Sequence, residues 1–191
     1  MLKPFDVMLV GVGGQGTLLA TKVLSKAAQK KGYDIKVSEI KGMAQRGGSV
    51  VSQLRLAEEV NSPLITETGA DVILSFEKLE ALRWLSYLKP EGTVIINNQE
   101  IAPVPVLIGV AEYPGGILEY IKRKVHNSEV IDALDMAVEC GNPRTANVVL
   151  LGVLAKHMPI ERETWEQALE EVVPNKFLEV NQKAFAAGYN L

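Results

Sequence analysis

Residues 11–16 read Gly-Val-Gly-Gly-Gln-Gly, directly behind the apolar stretch at 5–10 and ahead of a segment with helical spacing. Gly11, Gly13 and Gly16 fall on the GxGxxG pattern, which permits a tight strand-to-helix turn, close approach of a ligand to bare backbone, and close packing of helix on strand. A helix that opens on such a turn points its free amides and the positive end of its dipole at whatever binds there. The pattern thus restricts the chain to an α/β sheet whose binding edge lies at the carboxyl ends of its strands. It does not name the ligand.

The rest of the chain continues that arrangement. Thr17 to Lys31 carries Leu18, Leu19, Val23, Leu24, Ala27 and Ala28 on one helical face, and Gly32 ends the helix. A strand over 35–40 follows, completing a βαβ opening. After a glycine-containing loop at 41–49, the alternation of Val51, Gln53 and Arg55 against Val50, Ser52, Leu54 and Leu56 predicts a strand with one polar face. Further strands are expected at 70–76, 93–98, 106–110 and 129–134, with helices over 77–88 and 116–125, a turn at 89–92 and a proline-rich crossing at 102–105. From Asp135 onward the pattern is helical, in four segments, with Pro143 and Pro174 near helix beginnings. The expected fold is a single α/β domain over residues 1–191, a Rossmann-like, mostly parallel sheet with flanking helices and a helical C-terminal region.

Composition removes several classes of function. The longest apolar runs fall far short of the ~20 residues of a membrane span, and the N-terminal stretch lacks the pattern of a cleaved signal; a cytoplasmic chain is expected. A net charge of −3 gives no reason to expect nucleic acid or a membrane surface as partner, and Lys122, Arg123 and Lys124 read as a solvated helix face. Cys140 is the sole cysteine, so this chain alone cannot ligate an iron–sulfur cluster through cysteines or close an internal disulfide. His126 and His157 have no metal-ligand spacing around them, and no metal site is expected.

Two chemistries compete for the glycine turn. Glu39, 23 residues after Gly16, stands where a ribose-binding acid would complete a nicotinamide site and make the chain a stand-alone NAD(P)-dependent dehydrogenase. Against that, Gln15 can hydrogen-bond across a loop or interface, and the loop after the second strand carries Gln45, Arg46, Gly47 and Gly48. A planar guanidinium followed by two glycines suits a carboxylate, a phosphate or a partner backbone. Neither histidine is flanked by a nucleophile, and Glu39, Asp71, Glu77 and Glu80 are individually ordinary; no catalytic residue is expected. A nucleotide-sensing assembly protein is the remaining alternative.

With both glycine segments in view, the chain resembles the gamma-type subunits of the 2-oxoacid:ferredoxin oxidoreductases, and among them the small subunits of the indolepyruvate enzymes. The likeness rests on GVGGQG at 11–16, GMAQRGGSVVSQLR at 42–55, NSPLI at 61–65, ADVILSFEKLEALR at 70–83, GNPRTANVVLLG at 141–152 and NQKAFAAG at 181–188. It covers nearly the whole chain, and GxGGQG followed about thirty residues later by RGG is far more specific than GxGxxG alone. The resemblance implies an enzyme that oxidatively decarboxylates 2-oxoacids, expected to be indolepyruvate or another aryl pyruvate, to acyl-CoA and passes electrons to ferredoxin. Thiamine diphosphate, Mg and iron–sulfur clusters would then reside on a large partner subunit, with coenzyme A as acyl acceptor, and none of these would be bound by this chain alone. It further implies that Gly11, Gly13, Gly14, Gln15 and Gly16, together with Gln45, Arg46, Gly47 and Gly48, face that partner and the coenzyme A entrance. The isolated chain is expected to be inactive and to expose an apolar patch open to self-association.

Overall fold

The apolar run behind Pro4 forms the central strand of the sheet, β1 (Phe5–Val12), buried along its last six residues. Its position is seen in a computed structural model, which describes residues 2–42 and 47–191. The glycine turn leads into α1 (Thr17–Lys31), closed by Gly32 in the left-handed region with its amide bonded to carbonyls of the last turn. The chain then forms β2 (Asp34–Lys41), β3 (Ser49–Ala57) and β4 (Ala70–Ser75). The short α2 (Lys78–Arg83) precedes β5 (Leu88–Asn97), and α3 (Val104–Leu107) and α4 (Ile117–Lys124) precede β6 (Asn127–Ile131). Four helices close the chain: α5 (Ala133–Glu139), α6 (Ala146–Lys156), α7 (Arg162–Val172) and α8 (Asn175–Tyr189).

The six strands lie in the order β2-β3-β1-β4-β5-β6. From β1 to β6 every pairing is parallel, whereas β3 is antiparallel to both β1 and β2. The sheet is therefore mostly parallel, as expected, but the βαβ opening does not make β1 and β2 neighbours: β3 turns back and occupies the place between them. That reversal has a positional consequence. Val12 pairs with Ser49 and Lys41 with Val50, so the chain entering β3 lies at the carboxyl edge of β1, beside the glycine turn.

Other expectations need correction. The expected polar face of β3 is largely covered: Val51 and Gln53 are buried while Arg55 is half-buried, and Gln53 Oε1 accepts the Ile65 amide at 2.6 Å from the segment lying over it. Residues 89–92 form no separate turn but belong to β5, where the register with β4 shifts between Ala70 and Val72. The expected strand over 106–110 is instead α3 and the turn after it. Pro103 and Pro105 supply helical φ values and no N–H for a ladder, so the β-branched residues beside them cannot be recruited into the sheet. The strand expected at 129–134 runs over 127–131, and the helix expected from Asp135 begins at Ala133.

Two cores result. On one face, α1 and α5–α8 bury Val23, Leu24, Trp165 and Phe185 against Leu9, Leu54 and Leu74; on the other, α2 and α4 bury Ile117 and Ile121 against Met8, Ile73 and Ile96. The centre of the first layer is α6, with every residue from Asn147 to Ala155 buried. Gly152 and Gly188 let α6 and α8 touch backbone to backbone: a Cβ on Gly188 would sit 1.9 Å from the Val149 carbonyl oxygen, and one on Gly152 would sit 2.2 Å from that of Phe185. Lys122, Arg123 and Lys124 form the solvated end of α4. No described helix is long and apolar enough to cross a membrane.

Candidate functional site

The glycine turn leaves β1 at the carboxyl edge of the sheet and reaches α1 through Gly16, which caps the helix at φ +80°. No β-carbon fits there, because one on Gly16 would lie 2.5 Å from Asn147 Nδ2. That amide instead donates to the Gly16 carbonyl at 3.1 Å, fixing the turn to the first residues of α6. Asn147 is only 4% exposed, and its Oδ1 has no donor among the described residues.

Gln15, half-buried, holds the edge of the sheet together. Its Oε1 accepts the Val12 amide at 2.9 Å, while Nε2 donates to the Phe76 carbonyl at 2.7 Å and to Gln99 Oε1 at 3.0 Å. One carboxamide thus ties together the carboxyl ends of β1, β4 and β5. The second glycine segment joins the first directly, for the Gly13 amide donates to the Gly48 carbonyl at 2.9 Å. Gly47 and Gly48 are therefore beside the turn, while Gln45 and Arg46 lie outside the described residues.

Clefts open on both sides of the turn. The larger, about 630 Å³, lies between Gly14, Gln15, Phe76, Gln99, Arg144 and Asn147. The other, about 440 Å³, lies between the turn, the start of α1 and the ends of β2 and β3. Gly13, Gly14 and Gly16 line both. α1 has no acidic residue in its first turn and no side chain capping its amides, so its positive end is open at the glycine turn, with Arg144 on the rim of the larger cleft. The single turn Pro143–Thr145 runs straight into α6 and is itself capped, the Asn142 side chain accepting the Arg144 amide at 3.0 Å. The arrangement favours an anionic ligand.

Sequence reasoning missed the residues that hold this edge together, in Ser75 to Glu80. Glu77 is 1% exposed; its Oε2 accepts the Glu80 amide at 2.9 Å, and its Oε1 accepts the Ile101 amide at 3.2 Å and the Tyr113 hydroxyl. Burial, reinforced by the bond to Glu77, pushes the Tyr113 phenol far above its ordinary range. Glu80 is 3% exposed and accepts the Ser49 hydroxyl at 2.5 Å. Burial holds its carboxyl above the usual glutamate value, opposed by the bond from Ser49 and by Arg83 at 3.5 Å. The glycine turn, the loop entering β3 and the segment between β5 and α4 are all tied to one stretch of six residues. The only local signal was the N-cap spacing of Glu77 and Glu80 ahead of α2.

The nicotinamide geometry is not reproduced. Glu39 faces Ser52 on β3, which in turn faces Leu9 on β1, so it stands two strand spacings, roughly 10 Å, from the strand that carries the turn. It lies 3.4 Å from Lys41 on an edge strand. The two histidines are not brought together: His126 is exposed, and His157 Nε2 lies 2.8 Å from Glu129. Cys140 is half-buried at the end of α5.

Comparison with known proteins identifies the family. The family model described as pyruvate ferredoxin/flavodoxin oxidoreductase matches residues 6–191. The indolepyruvate oxidoreductase subunit IorB of Pyrococcus horikoshii is 43% identical over 98% of this chain and 95% of its own length. The common gamma subunit of the pyruvate/ketoisovalerate oxidoreductases of Pyrococcus furiosus is 27% identical over 96% of this chain and 95% of its own length. Among solved structures, the gamma subunit of the keto/oxoacid ferredoxin oxidoreductase of Geobacter sulfurreducens shares the fold with a TM-score of 0.72 at 22% identity, covering 97% of this chain and 96% of that one. The 2-oxoglutarate:ferredoxin oxidoreductase of Magnetococcus marinus, solved with 2-oxoglutarate, coenzyme A and succinyl-CoA, carries the same fold with a TM-score of 0.75 at 20% identity; the match takes in all of this chain and 31% of that longer one. With a family model spanning nearly all of its length and relatives matched from end to end, the chain belongs to the pyruvate ferredoxin/flavodoxin oxidoreductase family, as a subunit of the small or gamma type.

Proposed function

We propose that this chain is the small, noncatalytic subunit of a cytoplasmic indolepyruvate, or closely related aryl pyruvate, ferredoxin oxidoreductase, and that residues 1–191 act as one domain in it. The relatives named for indolepyruvate match at 33–43% identity, against 25–27% for those named for pyruvate and ketoisovalerate. The large partner subunit holds thiamine diphosphate, Mg and the iron–sulfur clusters and passes electrons to ferredoxin. One cysteine does not fit a cluster. The apolar run Ile101–Ala111, with Leu107 at 71% exposure, supports burial of this edge in a complex.

The observation that carries this assignment is the Gly13–Gly48 bond, which joins two glycine loops into one surface at the uncapped start of α1. Coenzyme A fits that surface by chemistry: its phosphates match the amides of Gly14 and Gly16 to Leu18 and the Arg144 guanidinium, and its amide N–H groups match the unpartnered Asn147 Oδ1. Bound there, it would supply the thiol that accepts the acyl group. This chain's residues orient it and hold no proton in the reaction. The test is co-expression with a large thiamine- and cysteine-rich chain. The complex reduces ferredoxin with indolepyruvate and coenzyme A faster than with pyruvate or 2-oxoglutarate, and the isolated chain does not. A preference for pyruvate would overturn the substrate; failure to form any complex would overturn the subunit reading.

A further inference from the structure

Glu80 is costly where it is. Burying a carboxylate is unfavourable unless hydrogen bonds and counter-charge compensate, and among the described residues the charged groups facing it are the half-exposed Arg83 and a second buried acid, Glu77. Glu80 has no chemical role in the proposed reaction. Its bond to Ser49 shows what it does hold.

Ser49 is the first residue of β3 and the last of the loop that carries the second glycine pair. Its own carbonyl accepts the Gly42 amide at 2.8 Å, closing the base of that loop, and the carbonyl just before it, on Gly48, accepts the Gly13 amide at 2.9 Å. Across two consecutive residues, three hydrogen bonds link the buried acid, the loop base and the glycine turn. The acid itself is anchored, since the Glu80 amide caps onto Glu77, which fixes the segment between Ile101 and Tyr113.

We propose that Glu80 is a positioning residue: through Ser49 it locks the Gly47–Gly48 arm against the glycine turn, so that the two-loop surface is set before coenzyme A or the partner chain reaches it. The role assigned to that surface rests on the function proposed above; the locking itself does not. A carboxylate suits the task because its charge shortens and strengthens the bond from Ser49. Its burial keeps water from competing for the Ser49 hydroxyl.

The locking is read in the isolated full-length chain from hydrogen exchange at the Gly13 amide. Ser49→Ala and Glu80→Ala accelerate that exchange at least about tenfold while the amides of α6 keep their protection. Glu80→Gln, whose side-chain carbonyl can still accept from Ser49, stays within about threefold of the unmodified chain. Unchanged Gly13 protection in Ser49→Ala overturns the proposal, as does a Glu80→Gln chain as loose as Glu80→Ala. Should Glu80→Ala fail to fold, Ser49→Ala decides alone, because Ser49 is only half-buried at the sheet edge. In the reconstituted enzyme, Ser49→Ala raises KM for coenzyme A or the dissociation constant of the complex about tenfold with kcat at saturation unchanged. Loosened exchange with neither constant altered leaves the lock standing and removes the proposed role of the surface.

Discussion

The helical layer α5–α8 and the loop cluster at the carboxyl edge of the sheet are held together by opposite means. In the layer, apolar side chains and two glycines bring α6 and α8 into backbone contact, with Trp165 and Phe185 stacked at 6.2 Å between ring centroids. In the cluster, Gln15, Glu77 and Glu80 reach across long stretches of sequence to single backbone or hydroxyl groups. Apolar packing is non-directional and depends on volume, whereas a hydrogen bond fixes one atom against another. The layer therefore supplies stability and the cluster supplies geometry, and substitutions in each should fail differently.

The largest effect belongs to the layer. Gly188→Ala would place a methyl group against the Val149 carbonyl, a backbone atom that can retreat only if the helices separate. We expect a loss of about 3 kcal/mol, the upper end of the cost of overpacking, read as a lower midpoint in urea with little change in slope. Stability unaffected by the alanine would mean that the close approach of α6 and α8 is not what holds the layer together.

Next comes Gln15→Leu, which deletes all three bonds from one side chain. The Phe76 carbonyl keeps its bond from Asn97 at 3.1 Å, but the Val12 amide is left without an acceptor. A cost of about 1–2 kcal/mol follows from one unsatisfied, partly buried donor. The comparison between the regions rests on where that cost appears. Exchange at Val12 and Gly13 should rise well before exchange in α6; uniform loosening would erase the distinction between cluster and scaffold.

The same division explains what could be read from the sequence. Thr17 to Lys31, the buried strands at 5–10 and 70–76, and the C-terminal helices announce themselves by periodicity, because packing against a layer repeats along the chain. The glycine turn was legible because Gly16 answers a local backbone demand. The reversal of β3 was not, since nothing in residues 49–57 encodes the direction of a neighbouring strand, and it is this reversal that delivers Gly47 and Gly48 to the turn. Nor could Glu77 and Glu80 be told from surface acids when their partners, Ile101, Tyr113 and Ser49, lie 24 to 36 residues away. The run at 106–110 misled because its β-branched residues outweighed the two prolines beside them.

A titration sharpens the contrast between a buried acid and exposed ones. Glu80 has its carboxyl raised by burial, so its contribution to stability is fully present below its ordinary value of 4.5 and is lost as pH rises through the folded value. Asp34, Glu161, Glu171 and Glu179, each lowered chiefly by a bond from a lysine, act in the opposite sense, losing their contribution as pH falls. Glu80→Gln removes only the first behaviour. The stability of this variant relative to the unmodified chain should therefore climb from about pH 4.5 upward and level off once Glu80 is ionised in the folded state. A flat difference across that range would show that Ser49 and Arg83 fully offset its burial.

The smallest effects on stability, and the most diagnostic of function, belong to the arginines. Arg144 is exposed on the rim of the larger cleft, and its replacement by alanine should leave stability within about 0.5 kcal/mol. Arg46, next to the paired glycines, is expected to make a charge-assisted interaction with coenzyme A or the partner chain. In the assembled enzyme, Arg144→Ala should raise KM for coenzyme A several-fold and change its dependence on salt little, since one guanidinium is a single positive charge beside the open end of α1. Arg46→Ala should either raise the same KM or weaken assembly. If Arg46→Ala changes neither, it has no such role, and the anionic ligand belongs to the α1 and α6 side of the glycine turn alone. If Arg46→Ala weakens assembly and Arg144→Ala only the KM, the two glycine segments divide the work, one for the partner chain and one for the ligand.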